Sequence, residues 1–515
     1  MITLVNPNLV VQRNDIFTTG IVYMPIGLAY FASALKHKGY HCNVIDAFGE
    51  NPNQFRSDEK FFYRGLTAGE IVDRICIATK VIVLYAINIT HHRSLIEIIR
   101  AIRSRFSQIS LIVMENSQAV TAYSLRRVQD VFYDAGVDYV ITGEAEERGV
   151  ELIRILHCGI SRNDILKIDG IGSRMNGVTH YIPPERNIAR LDTLPFPAWD
   201  LFPLQNYWKL KYAHGPYETK KYLPIVTSRG CPFSCKFCII PETNDRNWRA
   251  RSAKNVVDEI EENIRTYGVH EYHIEDVNPT VNNERVHEIC NEILCRNVEI
   301  IWKISSGTKV ETLRDESTIA VMAKAGCRYI SISPETGSPR LLKLMNKPFN
   351  LGLAIRLVKK MNAVGIRSQS CFVLGYPGEN NDDRRLTWKM VHDLTKAGVD
   401  EIALFIVSPM PGAEIFDQFA PYADYSRLNF SPTWRGDYNE LNRFRIRLYR
   451  NFLFWKLWYH PLKIAKQPIN FMLRRFETKM EMIPYRALHT LGMKFGLTGK
   501  RCRGSGSIFE RANNG

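Results

Sequence analysis

The amino-acid sequence predicts an α/β protein with an N-terminal doubly wound open sheet, a partial (β/α)6 barrel and a mainly helical, basic C-terminal region. Three observations support this prediction. Five apolar runs alternate with helical patterns in the first 150 residues, six strand–helix repeats follow between residues 216 and 415, and the tail is basic. We place the domains at residues 1–150, 216–415 and 416–515, with a proline-rich linker at 151–215.

The first segment has the pattern of a parallel sheet that is covered by helices on both faces. Its predicted strands are residues 2–5, 42–46, 81–85, 111–114 and 139–142. Ligands bind such sheets outside the carboxyl ends of the strands, where a flat, phosphate-bearing molecule would fit. The sequence has no GxGxxG fingerprint, which argues against a nicotinamide or flavin dinucleotide.

The second segment repeats a strand followed by a helix six times, which indicates a parallel, barrel-like sheet with helices outside. The predicted strands are residues 222–227, 270–275, 300–304, 328–333, 368–374 and 401–407. A cysteine-rich loop directly follows the first of these strands. It therefore lies at the carboxyl ends of the strands, where barrels of this kind place their active sites.

That loop contains Cys231, Cys235 and Cys238, in the stretch Arg-Gly-Cys-Pro-Phe-Ser-Cys-Lys-Phe-Cys. Thiolates are soft ligands, and this spacing lets one loop present all three to a single iron–sulfur cluster. A fourth iron would be left open, which points to chemistry rather than to a structural role. Structural zinc would need a second half-site, and the next cysteines, Cys290 and Cys295, follow a helical pattern.

The three cysteines together with Phe237 resemble the signature of radical S-adenosylmethionine (SAM) enzymes. The resemblance implies a [4Fe-4S] cluster on the cysteines and SAM on the open iron, with Phe237 beside the adenine. In that family the reduced cluster cleaves SAM, and the resulting deoxyadenosyl radical removes a hydrogen atom from the substrate. The motif does not identify the catalytic residues that touch the substrate.

Polar and glycine residues at the other strand ends resemble the SAM contacts of that family. Taken singly, such residues are more often turns or helix caps, but here they recur in order along the barrel. The residues implied as SAM contacts are Glu275, Asp276 and Asn278 after the second strand, Ser305 after the third, Glu335 after the fourth, and Gly375 and Gly378 after the fifth.

The N-terminal segment resembles the Rossmann-like cobalamin-binding domain that precedes many radical SAM enzymes. The residues implied as cobalamin contacts are Asn6, Pro25, Gly27, Asp46, Asn116, Ser117, Gly143 and Glu144. The Asp-x-His-x-x-Gly element that supplies an axial histidine in other cobalamin domains is missing, so the resemblance implies cobalt without that ligand. His91 and His92 are better explained as the polar start of a helix.

Most of the formal net charge of +15 lies in the tail. Residues 441–503 contain fifteen Lys and Arg against two acids, Glu477 and Glu481, interleaved with aromatic residues. Basic helices with Trp and Phe favour contact with an anionic membrane surface. A helical domain packed on the barrel mouth, with a solvated basic face, is the plain alternative. Binding of nucleic acid is the third and least favoured one, because a second cysteine cluster or a small RNA domain is missing.

Cysteine usage and apolar runs indicate a cytoplasmic enzyme that contacts the membrane only peripherally. The eleven cysteines lack regular extracellular spacing, and the sequence starts without a charged-then-apolar leader. Its apolar runs are all shorter than the about 18 residues that a spanning helix requires.

The resemblances predict cobalamin-dependent methyl transfer to an unactivated carbon of a small hydrophobic substrate, with electrons from a donor such as flavodoxin or ferredoxin. Residues 275–282 and the basic aromatic tail also resemble the anaerobic magnesium-protoporphyrin monomethyl ester cyclases. Oxidative cyclisation of a tetrapyrrole- or lipid-like substrate is therefore the alternative. A non-catalytic protein that senses cobalamin or a metal is the third possibility.

Overall fold

The N-terminal sheet has seven strands, and its parallel part is the doubly wound sheet that the sequence predicts. The computed structural model describes residues 1–15, 19–119, 121–159, 162–185, 187–419, 425 and 431–494. The strands of this part are β1 (Ile2–Asn6), β2 (Leu9–Gln12), β3 (Cys42–Asp46), β4 (Phe55–Ser57), β5 (Phe61–Arg64), β6 (Val81–Ala86), β7 (Ser110–Glu115), β8 (Tyr139–Ile141), β9 (Ile171–Met175) and β10 (Val178–Tyr181).

Five of these strands, in the order β3-β1-β6-β7-β8, are parallel. Strands β1, β6, β7 and β8 are buried along nearly their whole length because helices cover the sheet, whereas the edge strand β3 is half-buried in its first three residues. The helices of this part are α1 (Ile26–His37), α2 (Ala47–Glu50), α3 (Ala68–Arg74), α4 (His92–Arg105), α5 (Leu125–Ala135), α6 (Ala145–Cys158) and α7 (Arg162–Ile165).

Two features of the N-terminal part are absent from the sequence prediction. The antiparallel strands β9 and β10 extend the sheet beyond β8, so that residues up to Tyr181 of the predicted linker belong to it. A separate antiparallel sheet has the order β2-β5-β4. It joins residues 9–12 to residues 55–64, a long-range pairing that leaves no local turn signal.

The six predicted barrel strands form one parallel sheet in the order β11-β14-β15-β16-β17-β18. The strands of this part are β11 (Leu223–Ile225), β12 (Ser228–Arg229), β13 (Arg249–Ala250), β14 (Glu271–Ile274), β15 (Ile301–Thr308), β16 (Cys327–Glu335), β17 (Arg367–Leu374) and β18 (Glu401–Ile406). Strands β12 and β13 form a small antiparallel pair beside the sheet. Within the described residues β11 and β18 do not pair, so the barrel is partial as predicted.

Helices alternate with these strands, as the sequence predicts. They are α8 (Leu204–Leu210), α9 (Ile240–Asn244), α10 (Ala253–Tyr267), α11 (Asn283–Cys295), α12 (Glu316–Lys324), α13 (Pro339–Leu344), α14 (Leu351–Ala363) and α15 (Asn381–Ala397). Cys290 is buried on α11 and Cys295 is exposed at its end, which confirms the helical interpretation of these two thiols.

Aromatic residues of the predicted linker fill the junction between the two sheets. Trp199, Tyr207 and Tyr212 are almost fully buried, and they belong to the same apolar core as Leu4 of β1 and Ile304 of β15. The large side chains of the linker therefore pack between the N-terminal sheet and the barrel and join them into one core.

Four helices complete the described chain. They are α16 (Tyr438–Tyr459), α17 (Pro461–Ala465), α18 (Gln467–Leu473) and α19 (Lys479–Lys494). Helix α16 packs on α15, where the rings of Trp388 and Trp455 are 5.7 Å apart, and on β18, where the Leu404 amide donates to the Tyr449 hydroxyl at 2.9 Å. The predicted helical character of the tail is confirmed, and residues 495–503 lie outside the described residues.

Candidate active site

A cavity of about 700 Å³ lies at the carboxyl ends of the barrel strands. The three motif cysteines, Cys231, Cys235 and Cys238, border it, and all three are free and half-buried. N-terminal residues such as Asn88 and Asn116 border the same cavity. The loop after β12 and the strand ends of both sheets therefore open into one space.

The cysteine loop is held in place by several backbone contacts. Gly230 has φ +78°, and a Cβ there would lie 2.1 Å from the Asn247 carbonyl oxygen, so the turn into the loop requires glycine. The Lys236 amide donates to the Met345 carbonyl at 3.1 Å, and the Ile240 amide lies 3.5 Å from Cys238 Sγ. Burial raises the pKa of all three thiols, so that nearby positive charge is needed for the thiolate form.

Two lysines that the sequence analysis did not select supply positive charge beside this loop. Lys347 Nζ donates to Glu335 Oε1 at 2.6 Å and to the Ser333 carbonyl at 2.8 Å. Lys309 Nζ lies 3.9 Å from the centroid of the Phe233 ring, and burial lowers its pKa to about 8. Lys309 directly follows β15, so it could have been predicted in the same way as the other polar residues at strand ends.

Glu335, which is predicted to contact SAM, borders the cavity, and its backbone is strained. Its φ is +65°, a left-handed conformation that few residues other than glycine adopt. The carboxylate is buried and paired with Lys347 at 2.6 Å. Strain of this kind, held by the surrounding structure, is typical of functional sites.

The three residues predicted after the second barrel strand differ in their surroundings. Asn278 borders the cavity, and its side-chain nitrogen lies 3.9 Å from Cys231 Sγ. Glu275 also borders it and accepts hydrogen bonds from His214 Nδ1 at 2.8 Å and Ser306 Oγ at 2.8 Å. Burial favours a raised pKa for Glu275, but the His214 and Ser306 contacts hold that pKa below its usual value.

Asp276, unlike the other two residues predicted as SAM contacts after this strand, does not border the cavity. Its carboxylate accepts from the Thr227 amide at 2.6 Å, the Thr227 hydroxyl at 2.7 Å and the Ser228 hydroxyl at 2.6 Å. These bonds fix the turn between β11 and β12, just before the cysteine loop. Asp276 is thus a support for the loop rather than a group open to a ligand.

The two glycines predicted after the fifth strand are also outside the cavity lining. A Cβ on Gly375 would lie 2.5 Å from Leu441 Cδ1, and the Gly375 carbonyl accepts from Arg435 at 2.9 Å. The Gly378 carbonyl accepts from Arg340 at 2.8 Å. Both glycines have positive φ, which the turn after β17 requires, and their contact with adenine stays a prediction.

Phe237 and Ser305, both predicted to contact SAM, border the cavity. Phe237 packs against the apolar cluster that contains Leu341 and Val373. Ser305 Oγ is buried without a hydrogen-bond partner in the described part of the chain. Because buried hydroxyls are normally bonded, this atom is suited to meet a polar group of a bound ligand.

A second, narrow cavity lies at the carboxyl ends of the N-terminal parallel strands. It brings together five of the residues predicted to contact cobalamin, which are Gly27, Asn116, Ser117, Gly143 and Glu144. Asn116 borders this cavity and the larger one. Only glycine fits at position 27, because a Cβ there would lie 2.5 Å from the Tyr85 hydroxyl oxygen.

The remaining three predicted cobalamin contacts, Asn6, Pro25 and Asp46, border neither cavity. Asp46 accepts from Asn6 at 2.8 Å and from the Tyr207 hydroxyl at 2.7 Å, and burial raises its pKa to about 6. The linker residue Tyr207 thus covers this strand end. Pro25 is the N-cap residue of α1, two residues before Gly27 in the chain.

Glu144 and the two histidines after the third N-terminal strand are bonded within the protein. Arg249 donates twice to the Glu144 carboxylate, at 2.8 Å and 2.9 Å, and the Ile188 amide donates at 2.8 Å. His91 Nδ1 is paired with Asn88 Oδ1 at 2.7 Å. His92 packs edge-on against the rings of Tyr123 and Phe132, in agreement with a helix start rather than a metal ligand.

Helix α19 covers one side of the large cavity. Met480, Met482 and Ile483 border the cavity, together with Tyr449 of α16. Lys479 also borders it and donates to the Ser305 carbonyl at 2.8 Å. The tail therefore packs on the barrel mouth, which agrees with the alternative prediction of a helical domain at this position.

Comparison with known proteins supports the assignment of this site. Residues 225–391 match the family model of the radical SAM superfamily, so this part of the chain is a radical SAM domain and the predicted enzyme class is confirmed. The match lies within the predicted barrel and begins six residues before Cys231.

Two relatives illustrate the range of chemistry among similar proteins. The cytidylyl-2-hydroxyethylphosphonate methyltransferase of Streptomyces wedmorensis is 26% identical over 461 residues, which cover 80% of this chain and 80% of that protein. The anaerobic magnesium-protoporphyrin IX monomethyl ester cyclase of Rubrivivax gelatinosus is 26% identical over 298 residues, which cover 57% of this chain and 52% of that one.

Solved structures share the fold along most of the chain. The radical SAM methyltransferase TsrM from Kitasatospora setae, with cobalamin and a [4Fe-4S] cluster bound, superposes with a TM-score of 0.62 at 16% identity, covering 81% of this chain and 77% of that one. The cobalamin-dependent radical SAM enzyme OxsB superposes with a TM-score of 0.61 at 18% identity, covering 81% and 55%. The predicted succession of a cobalamin-type domain and a radical SAM domain is thereby confirmed as a fold.

Proposed function

We propose that this protein is a cobalamin-dependent radical SAM methyltransferase that acts on an unactivated carbon of an apolar substrate. One observation carries the proposal. The motif cysteines of the barrel and Asn116 at the strand ends of the N-terminal sheet border the same cavity of about 700 Å³. A methyl donor held at one sheet and a hydrogen-abstracting centre held at the other would then meet one substrate.

The residues around the cysteine loop fit a [4Fe-4S] cluster with SAM. Three thiols from one loop face one space, and Lys309 and Lys347 bring positive charge to a group that becomes anionic when loaded. Ser305 Oγ, which lacks a partner among the described residues, and the Asn278 amide offer further polar contacts. When bound, the cluster and SAM supply a deoxyadenosyl radical, and cobalamin supplies the methyl group.

We propose that the narrow N-terminal cavity holds the edge of a cobalamin rather than a dinucleotide, for which the GxGxxG fingerprint is missing. Its entrance is bordered by Gly27, Gly143 and Asn116, at the carboxyl ends of parallel strands, where this sheet architecture binds flat ligands. TsrM and OxsB, which share the fold, are described with cobalamin bound. For this chain we propose the same cofactor at the same edge of the sheet.

The lining of the large cavity favours an apolar substrate. Side chains such as Met24, Ile87, Met480, Met482 and Ile483 make most of its wall apolar, and charged residues are a minority of those that border it. The ionised groups that do border it are largely satisfied by protein partners, as in the Glu335–Lys347 and Glu275–His214 pairs. Such a cavity excludes water from a radical reaction and recognises its ligand mainly by shape.

The test is anaerobic. The full chain is reconstituted with iron and sulfide and reduced by dithionite with SAM present, and deoxyadenosine and S-adenosylhomocysteine are quantified with and without methylcobalamin. Deoxyadenosine should vanish in the Cys231→Ala, Cys235→Ala, Cys238→Ala triple variant and persist in Cys295→Ala, whose thiol is exposed on α11 away from the cavity. If a protein with a fully loaded cluster forms neither deoxyadenosine nor S-adenosylhomocysteine, this result would favour a non-catalytic sensor instead.

Oxidative cyclisation is the second candidate, because a magnesium-protoporphyrin monomethyl ester cyclase is among the relatives and the cavity has room for a large ring. The two reactions differ in their co-products. Methyl transfer consumes a second SAM and releases S-adenosylhomocysteine, whereas cyclisation releases deoxyadenosine alone. Cobalamin-dependent formation of both products selects methyl transfer.

Two partners are part of the proposal. A small reduced electron carrier, flavodoxin or ferredoxin, would replace dithionite in the cell, and its addition with its reductase should support deoxyadenosine formation. The basic helical region within residues 441–503 would contact a membrane surface. No helix among residues 1–15, 19–119, 121–159, 162–185, 187–419 and 431–494 combines the length and the apolarity of a membrane span.

A further inference from the structure

Exposed apolar side chains are concentrated in the C-terminal helices. Of the sixteen large apolar residues that are exposed in the described part of the chain, ten lie between Ile446 and Leu488. We call the exposed side chains between Leu441 and Phe476, which lie on α16, α17 and α18 and on the residues that join or directly follow these helices, the outer face. Its apolar members are Ile446, Leu453, Phe454, Leu457, Trp458, Leu462, Ile469, Met472 and Leu473. Clusters of this size on a folded protein mark an interaction surface.

From Arg443 onward, the exposed residues of α16 follow the period of a helix and form one stripe. They recur at spacings of three and four residues, and the stripe is basic in its first half and apolar in its second. The members are Arg443, Ile446, Arg447, Arg450, Leu453, Phe454, Leu457 and Trp458. Trp458 is 75% exposed, and Leu462, at the start of α17, is 77% exposed.

The charge of the outer face has one sign. Between Leu441 and Phe476 the chain contains nine Lys and Arg and no Asp or Glu. Six of the nine are exposed, namely Arg443, Arg447, Arg450, Lys466, Arg474 and Arg475. Within the described residues, none of these six forms a salt bridge, so their charge is available to a partner.

We propose that the outer face binds the surface of an anionic phospholipid bilayer. The apolar side chains would enter the boundary between headgroups and acyl chains, and the six exposed cations would pair with anionic headgroups. A second copy of this chain is a poorer occupant, because a twofold interface would set the six cations of each outer face against each other. An anionic bilayer complements both properties of the face.

The opposite side of α16 borders the cavity, and so does the last described helix, α19. Tyr449 of α16 borders the cavity, while Phe454 and Trp458 of that helix lie on the outer face. Met480 and Ile483 of α19 border the cavity as well. This part of the inference rests on the proposed function: an apolar substrate resident in the bilayer would reach the cavity past these helices.

The test is co-sedimentation of the full chain with sucrose-loaded vesicles. One set of vesicles is pure phosphatidylcholine, and in the other set one part in three is replaced by the anionic lipid phosphatidylglycerol. We expect at least about tenfold stronger binding to the anionic vesicles, and weakening by added salt. The Phe454→Ser, Trp458→Ser, Leu462→Ser variant should lose most of this binding. The matched control, Ile77→Ser, Val178→Ser, Leu294→Ser, removes three exposed apolar side chains elsewhere and should bind as the unmodified chain does.

Several outcomes would overturn the proposal. They are absence of sedimentation with either vesicle, equal binding of both triple variants, and a dimer in light scattering that the outer-face variant alone disperses. Stronger binding to transfer RNA than to the anionic vesicles would assign the face to nucleic acid instead. Circular dichroism and cluster content show whether each variant folds. Vesicle binding without any deoxyadenosine formation would leave this proposal standing while the proposed function fails.

Discussion

Arg229 donates a hydrogen bond from Nη2 to Glu146 Oε1 at 2.6 Å, and its Nη1 lies 3.6 Å from Glu144. All three side chains are buried. Arg229 is two residues before Cys231, whereas the two glutamates begin α6 in the N-terminal domain. The cysteine loop is therefore anchored to the domain that carries the narrow cavity. Burial alone would raise the pKa of Glu144, but Arg229 and Arg249 hold that pKa below its usual value.

Glu146→Ala should destabilise the protein by about 3 kcal/mol, because removal of one partner leaves a buried charge that is only partly compensated. We expect a lower unfolding temperature and less iron per chain after reconstitution, since the anchor of the cysteine loop is loosened. The matched control is Glu151→Ala on the same helix, which removes an exposed pair with Arg154 and should change stability by at most about 0.5 kcal/mol. Equal shifts in both variants would contradict the anchoring role.

Gly27→Ala should reduce cobalamin retention. The added Cβ would lie 2.5 Å from the Tyr85 hydroxyl oxygen at the wall of the narrow cavity, and overpacking of this kind costs about 1–3 kcal/mol. The visible absorbance that remains with the protein after desalting measures retention directly. Gly69→Ala, in the interior of α3 with nothing within 4 Å of the new Cβ, should retain cobalamin as well as the unmodified chain does.

Asn278→Leu should lower the reduction potential of the reconstituted cluster. The Asn278 amide is the side-chain donor nearest to Cys231 Sγ, at 3.9 Å, and an N–H group beside a cluster sulfur stabilises the reduced state. A potentiometric titration followed by electron paramagnetic resonance gives the value. Asn283→Leu, at the start of α11 outside the cavity, is the control, and an unchanged potential in Asn278→Leu would show that this amide does not tune the cluster.

His91 should make the protein sensitive to mild acid. Burial lowers the pKa of His91 from 6.5 to about 3, so between these values the unfolded chain binds a proton that the folded chain does not. Its contribution to stability is complete above pH 6.5 and is lost as the pH falls toward 3, by about 1.4 kcal/mol per unit.

Replacement by glutamine removes this titration. Urea unfolding of His91→Gln between pH 7 and pH 5 should therefore fall less steeply than that of the unmodified chain. His37→Gln, at the exposed end of α1, should follow the unmodified chain. Parallel stability profiles for all three proteins would rule out His91 as the source.

The succession of strands along the chain and the position of the cysteine loop were predictable because they depend on local patterns. Apolar runs alternate with amphipathic helices along β1, β3, β6, β7 and β8, and again along the barrel, and parallel strands joined by helices have a nearly obligatory handedness. A loop after the first barrel strand must then lie at the carboxyl edge. The small sheet β2-β5-β4 was not predictable, since its strands pair without a tight turn.

The sequence by itself determined the chemistry of the site: three thiols in one loop, at the carboxyl edge of a parallel sheet. Only the tertiary structure decided which polar side chains face the cavity. Asp276 and Gly375 have the right residue types at strand ends. However, the turn after β11 donates to the Asp276 carboxylate, and Leu441 of α16 packs against Gly375. Lys347, His214 and α19 arrive from distant parts of the chain. Orientation and long-range packing depend on the whole fold, which residue type and spacing do not encode.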